Sequence, residues 1–157
     1  MLAAAVADSH DNVPVIERAV EVIRQRGAEV IFHAGDFVAP FAAKAWAEFG
    51  GPIRAVFGNN DGEREGLRKV IADLEDGPRL VEAGGRKVLL SHREGDMTPD
   101  LLAQADVVVA GHTHRSEVGK RGGAVFVNPG EVGGWLTGRS TIALVDLGTL
   151  AVELVEL

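Results

Sequence analysis

Short apolar runs alternate with amphipathic stretches along the first half of the chain. Residues 2–7 (LAAAVA) are apolar without alternation, the pattern of a strand buried on both faces. From Val13 onward, Val13, Ile16, Ala19, Val20 and Ile23 fall at helical spacing, with Pro14 suited to a first turn and Gly27 to the stop. Residues 29–34 (EVIFHA) predict a second strand. Pro40 then opens a helix carrying Phe41, Ala45, Trp46 and Phe49, ended by Gly50 and Gly51. Residues 53–57 (IRAVF) predict a third strand and 64–75 a third helix. The second half changes character. RLVEA and KVLLS flank Gly84 and Gly85, a hairpin signal. A short helix over 99–104 precedes the apolar run DVVVA at 106–110. EVGK and AVFVN then flank Gly122 and Gly123, and TIALVDL and AVELVEL flank Gly148 and Thr149. A βαβαβα half leading into a strand-rich half predicts an α/β protein whose sheet is covered on both sides, as two packed sheets with outer helices. No linker or repeat divides the chain, so residues 1–157 read as a single domain.

Composition narrows the function classes. With 157 residues, 46% of them hydrophobic, the chain is long enough to bury a substantial core. Its formal charge of −7, with both signs interspersed, argues against stable nucleic-acid binding or a membrane-surface role, each of which wants a basic face. There is no cysteine, hence no disulfide framework and no thiolate metal site. The opening MLAAAVADSH lacks a basic start and meets Asp8 almost at once, so it reads as a first strand and not as a signal peptide. No apolar run reaches the length of a membrane span, and a cytoplasmic location is the expectation.

The chemistry lies where the strands end. The first runs into Asp8-Ser9-His10, the second into Gly35-Asp36 and the third into Gly58-Asn59. The strand at 86–90 runs into Ser91-His92, and that at 106–110 into Gly111-His112-Thr113-His114. In parallel α/β sheets the carboxyl ends of strands gather on one edge, where ligands bind. Asp8 and His10 are two residues apart, as are His112 and His114, and in extended backbone such pairs point to one side. Four of the five histidines sit at these ends. Imidazoles and carboxylates without thiols suit manganese, iron, zinc, cobalt or nickel better than calcium. Seven N/O donors are too many for one tetrahedral ion, but they match two ions sharing a carboxylate, the arrangement that clamps an in-line displacement at phosphorus.

The ordered series D-S-H, G-D, G-N-N-D, H and G-H-T-H, followed by VNPGE at 127–131, resembles the calcineurin-like metallophosphoesterase superfamily, and within it the small YfcE-like phosphodiesterase branch. The resemblance implies a four-layer αββα sandwich, two mixed sheets flanked by helices, with a dinuclear site between the sheet ends. It implies Asp8, His10, Asp36 and His114 as ligands of one ion and Asp36, Asn59, His92 and His112 as ligands of the other, Asp36 bridging the two. Manganese is the first choice of metal, with nickel, iron, zinc or cobalt as alternatives. The implied reaction is hydrolysis of a small phosphate ester, a phosphodiester first, by attack of a metal-bridging hydroxide, with Asp36, Asn59 and His92 at its catalytic centre. Arg93 and Arg115, each directly after a ligand histidine, are weaker candidates for contact with the substrate phosphate. A homo-oligomer also agrees with the resemblance.

Two departures from the family pattern matter. Where many members carry a histidine thought to protonate the leaving group, this chain has Asn60, and a neutral amide is no general acid. Where Gly and Ser are usual, Arg93 and Glu131 stand, which is expected to reshape or partly occlude the substrate cleft. Two rival readings remain: a phosphomonoesterase, and a non-catalytic protein-binding scaffold like the retromer subunit of the same fold. Among the remaining polar and aromatic residues, His33 is read as packed or supporting, and Asp11 and Asp61 as turn acids that orient a ligand imidazole. Trp46 reads as core, while Trp135 reads as core, cleft wall or oligomer contact.

Overall fold

The computed structural model describes every residue from Met1 to Leu157. In chain order the elements are β1 (Leu2–Val6), α1 (Val13–Gln25), β2 (Val30–His33), α2 (Pro40–Ala47), β3 (Ile53–Val56), α3 (Arg64–Val70), β4 (Leu74–Glu75), β5 (Arg79–Ala83) and β6 (Arg86–Ser91). There follow a 3₁₀ turn at Glu94–Asp96, α4 (Pro99–Leu102), β7 (Val107–Ala110), β8 (Ser116–Arg121), β9 (Ala124–Pro129), β10 (Thr141–Asp146) and β11 (Val152–Glu156). One sheet has the order β11-β10-β1-β2-β3-β4 and the other β5-β6-β7-β9-β8. Both are mixed. β1, β2, β3 and β4 run parallel, as do β6, β7 and β9, with antiparallel strands at the edges.

Side-chain alternation sorts the apolar residues into three layers. On β1, Ala3, Ala5 and Ala7 face the second sheet, where Val88, Leu90, Val107, Val109 and Val127 meet them. Ala4 and Val6 face the helices instead, packing with Ile16, Ile23 and Trp46. Beyond the second sheet, Leu89, Val108 and Phe126 lie under Met97, Leu101 and Leu102. The result is the αββα sandwich expected from the sequence. Its outer layer on the second sheet is thin, because α4 is only four residues long. No helix is long and apolar enough to cross a membrane.

Two expectations about elements fail. The helix read over 64–75 ends at Val70, and Leu74–Glu75 forms an edge strand pairing with Ala55 and Val56. The apolar positions fit either period, and pairing with β3 decides between them. Phe41, read as part of the buried face of α2, is 62% exposed, whereas Trp46 is fully buried. The core is filled instead by Ala42, Ala43, Ala45 and Trp46.

The loops at the strand ends are braced against one another. Asp8 N–H donates to the Gly35 carbonyl, Ser9 and His10 N–H both donate to the Asp36 carbonyl, and Asp11 N–H donates to that of Phe37. On the other side of the same segment, Val132 N–H donates to Ala7 and Gly133 N–H to Asp8. Asp61 joins the loops after β2 and β3: its carboxylate accepts Asp36 N–H at 3.0 Å, Val38 N–H at 2.8 Å and Gly58 N–H at 2.7 Å. Asp11 accepts Ala39 N–H at 2.9 Å. Both acids therefore hold backbone, not an imidazole as the sequence had suggested. Burial raises the Asp61 carboxyl above the ordinary carboxylate range, although the three N–H donors oppose the shift.

His33 is packed, as one branch of its reading held. Its ring stacks on Phe37 with centroids 3.6 Å apart, and its Nδ1 accepts Gly35 N–H at 3.1 Å. Burial holds it well below the ordinary imidazole range, and His92 and His10 act in the same direction.

Asp61→Ala strands three backbone donors and should cost about 3 kcal/mol, with Asp61→Asn costing less, as read from urea midpoints of metal-free protein. His33 makes a pH prediction. The unfolded chain takes up a proton on it below about pH 6.5 and the folded chain does not, so stability is full above that pH and falls below it, by up to about 1.4 kcal/mol per pH unit. The metal-free His33→Phe variant should lose stability less steeply with acid; parallel stability curves would contradict this.

Candidate metal centre

Six strand ends meet at one edge of the sandwich: those of β1, β2 and β3 from one sheet and of β6, β7 and β9 from the other. Asp8, His10, Asp36, Asn59, His92 and His114 converge there, with Asp8 and Asp36 almost completely buried. His10 Nε2 lies 3.8 Å from Asp8 Oδ1 and 3.4 Å from Asp36 Oδ2. His114 Nε2 lies 3.6 Å from Asp8 Oδ1, and His92 Nε2 lies 3.5 Å from Asp36 Oδ2. These gaps are long for hydrogen bonds. Ligand atoms about 2.1 Å from a common ion at tetrahedral angles are spaced about 3.4 Å apart. His112 lies outside both close groups of ligand atoms: its ring lies edge-on to His92, centroids 5.0 Å apart, and its backbone N–H donates to Asp8 Oδ2 at 2.9 Å.

The backbone at the site is unusual. Asp8, His10, Asp36, His112 and His114 all have positive φ, between 41° and 70°. The pairs two residues apart therefore do not converge through extended backbone, as the sequence reading assumed. They converge through left-handed turns, a conformation that non-glycine residues adopt rarely. Close approach of backbone completes the arrangement. A Cβ on Gly58 would lie 2.1 Å from Asp36 Oδ1, and one on Gly111 would lie 2.9 Å from Asp8 Oδ2.

The donor chemistry fits divalent cations. Asp8 Oδ1 and His10 Nε2 are buried side-chain atoms without a hydrogen-bond partner, and both point into the cluster. Asp8 does most to raise the His10 imidazole above its ordinary value, burial opposes it, and Asp36 and Glu131 reinforce the rise. His92 Nδ1 lies 2.8 Å from the Ala34 carbonyl, which makes it the protonated nitrogen and leaves Nε2 as the candidate ligand atom, 2.9 Å from Asn59 Oδ1. Burial lowers His112, and the nearby His92 and Arg93 lower it further. Neutral imidazole is the form that binds metal. In two groups the potential ligand atoms all lie within 4.8 Å of one another: Asp8, His10 and His114, and Asp8, Asp36 and His92.

Three residues have contacts that the sequence did not reveal. Asn60 caps Asp36, donating from its backbone N–H to Oδ1 and from Nδ2 to Oδ2, both at 2.8 Å. Asn128 donates from Nδ2 to the Gly111 carbonyl and to Thr113 Oγ1, holding the His112–His114 loop. Glu131 is fully buried and sits 2.8 Å from His114 Nδ1. It therefore neither occludes nor reshapes an open cleft, because its carboxylate turns inward to the histidine. Burial pushes the Glu131 carboxyl up, but the hydrogen bonds from His114, Thr137 and Leu136 win and hold it below its ordinary range. The signal was present in the sequence, since β9 is a sixth strand running through Pro-Gly into an acid. Trp135 is not core: it is 64% exposed and its Nε1 donates to the His10 carbonyl at 3.1 Å. Arg93 and Arg115 are exposed. Arg115 borders a depression of about 190 Å³ beside His114, with Ser116, Thr137, Arg139 and Thr141.

Residues 1–150 match the calcineurin-like phosphoesterase superfamily domain. Phosphodiesterase MJ0936 of Methanocaldococcus jannaschii is 32% identical over 149 residues, covering 90% of each chain. Phosphodiesterase YfcE of Escherichia coli K12 is 31% identical over 144 residues, covering 80% of this chain and 76% of its own. The solved structure of an archaeal phosphodiesterase overlays the whole of both chains with a TM-score of 0.87 at 31% identity. From its sheet order to its strand-end motifs, the chain belongs to the calcineurin-like phosphoesterase superfamily and is a hydrolase of phosphate esters.

Proposed function

We propose that this protein is a dinuclear metal-dependent phosphodiesterase acting on a small phosphodiester. The observation that carries the reading is the surplus of buried donors: Asp8 Oδ1 and His10 Nε2 lack partners, and no Lys or Arg pairs with Asp8 or Asp36. Asp8, His10, Asp36 and His114 are assigned to one ion and Asp36, Asn59, His92 and His112 to the other, with Asp36 shared. When bound, the ions supply Lewis acidity and a source of hydroxide near neutral pH. Manganese is preferred among the metals that accept this nitrogen and oxygen donor set.

The remaining chemistry belongs to the chain. Asn60 fixes both oxygens of Asp36, so the shared carboxylate keeps one orientation. The Asn59 amide places its oxygen beside His92 and leaves its NH₂ free to donate to a phosphate oxygen. Arg93 and Arg115, exposed and each directly after a candidate ligand histidine, offer cationic contacts to a bound phosphate. Asn60 also occupies the position from which a general acid would act, and it carries no transferable proton. The enzyme therefore favours substrates whose leaving group departs without protonation. That absence favours diesters over monoesters.

The test is turnover by metal-stripped protein of an activated aryl phosphodiester and its matching monoester, with Mn, Ni, Zn and Mg added in turn. Faster diester cleavage with manganese is expected, and Asp36→Asn should lose both ions and the activity. No turnover with any metal, or two ions retained by Asp36→Asn, would sink the reading. Asn60→His should raise the rate on a diester with an alkoxide leaving group by up to about 10²-fold while changing the aryl diester little. Equal effects on the two substrates would count against the missing-acid argument.

A further inference from the structure

Glu131 stands between the candidate metal centre and the 134–139 segment at its rim. The segment leading from β9 is buried up to Gly133 and then surfaces, with Trp135 64% and Leu136 75% exposed. Two exposed apolar side chains on a loop would ordinarily be mobile, yet this loop is held at two points. Trp135 Nε1 donates to the carbonyl of His10. Glu131 Oε1 accepts Leu136 N–H at 3.0 Å, Thr137 N–H at 2.5 Å and Thr137 Oγ1 at 2.7 Å. Its other oxygen, Oε2, lies 2.8 Å from His114 Nδ1. One fully buried carboxylate thus bonds a candidate ligand through Oε2 and the rim loop mainly through Oε1, with Leu136 N–H also 3.3 Å from Oε2.

The chemistry of that contact is directional. A carboxylate on Nδ1 fixes the imidazole with its proton on that side and its lone pair on Nε2, which is the atom facing Asp8 Oδ1 at 3.6 Å. It also makes the imidazole a better donor, and such supporting contacts are worth about 10–100-fold in metal affinity. No comparable acid supports the other group: His92 Nδ1 meets a neutral carbonyl, that of Ala34.

Resting on the ligand assignment above, we propose that Glu131 is a positioning residue for the ion held by Asp8, His10 and His114: its charge tightens that ion selectively, and the same carboxylate ties the ion to the posture of the Trp135 loop. Glu131 touches neither substrate nor metal; it acts through His114 on one side and through Leu136 and Thr137 on the other.

Calorimetric titration of manganese into metal-stripped protein separates affinity from activity. Wild type should bind two ions. Glu131→Gln, which keeps the shape and removes the charge, should weaken one of them by about 10–100-fold and change the other by less than about threefold. Glu131→Asp, which keeps the charge on a shorter stem, should fall between. Acrylamide quenching reads the loop separately, because Trp46 is fully buried and Trp135 supplies the quenchable emission. Quenching should rise in Glu131→Gln and, in wild type, should fall as manganese is added.

Two ions bound by Glu131→Gln with wild-type affinities, or both weakened equally, would overturn the proposal while leaving the metal centre intact. Fewer than two ions in wild type would overturn the ligand assignment and this proposal with it. Should Glu131→Gln fail to fold, Thr137→Val, at an exposed position, removes one donor to the carboxylate without touching His114. It should raise Trp135 quenching, and unchanged quenching there refutes the coupling.

Discussion

The constraint on which this molecule turns is a concentration of buried negative charge without buried positive charge to match it. Asp8, Asp36, Asp61 and Glu131 are all at or below 5% exposure within a few loops of one another. None pairs with a lysine or arginine; the charged-group neighbours of Asp8, Asp36 and Glu131 are histidines. Isolated carboxylates are expensive to desolvate, and proteins keep them only when they are hydrogen-bonded, paired or bound to metal. Asp61 and Glu131 meet the first condition, with backbone and side-chain donors on both oxygens. Asp8 does not, since its Oδ1 has no partner. A cation would meet this demand with the donors already in place, and the raised affinity of His10 for a proton is the same demand felt by another candidate ligand of the cluster.

Building such a cluster takes backbone that most sequences avoid. Five candidate ligands occupy the left-handed region, a conformation costing about 1–3 kcal/mol at each non-glycine residue. The ladder between residues 8–11 and 35–37, the Asp61 clamp and the Asn128 brace are the bonds that offset it. This explains the glycines as well. Gly58 and Gly111 stand where a neighbouring carboxylate oxygen comes within 2.9 Å of a would-be Cβ. The fold therefore does more than deliver ligands to one edge: it holds them in turns that the isolated segments would not adopt.

The sandwich and the strand-end chemistry were readable in the sequence because both rest on local pattern. Apolar runs of four to six residues ending in Asp, Asn or His predict strands and place their chemistry at the carboxyl edge, where β1, β2, β3, β6 and β7 carry it. What was not readable depends on contacts distant in sequence. Leu74–Glu75 continues a helical pattern locally and becomes a strand only because β3 offers a free edge. Asp61 looks like any turn acid until the loop after β2 lies beside it, 25 residues away in sequence. Glu131 reads as an intrusion into a cleft unless β7 and β9 are known to be parallel neighbours, which puts His114 directly over it.

Asn60 shows how one residue limits the chemistry in two ways. A histidine at this position would supply a proton to a leaving group, whereas Asn60 donates its amide N–H to Asp36 Oδ2. In this chain the amide is spent on the Asp36 carboxylate, which gains two donors from one residue and a fixed orientation. The site thus gives up help to the leaving group and gains order at the atom on which both candidate ion sites depend. Under the proposed function, that balance suits esters whose leaving group is already stable as an anion. For those, barrier height is set by how well the developing charge at phosphorus is surrounded, and preorganised donors contribute most when they do not have to move.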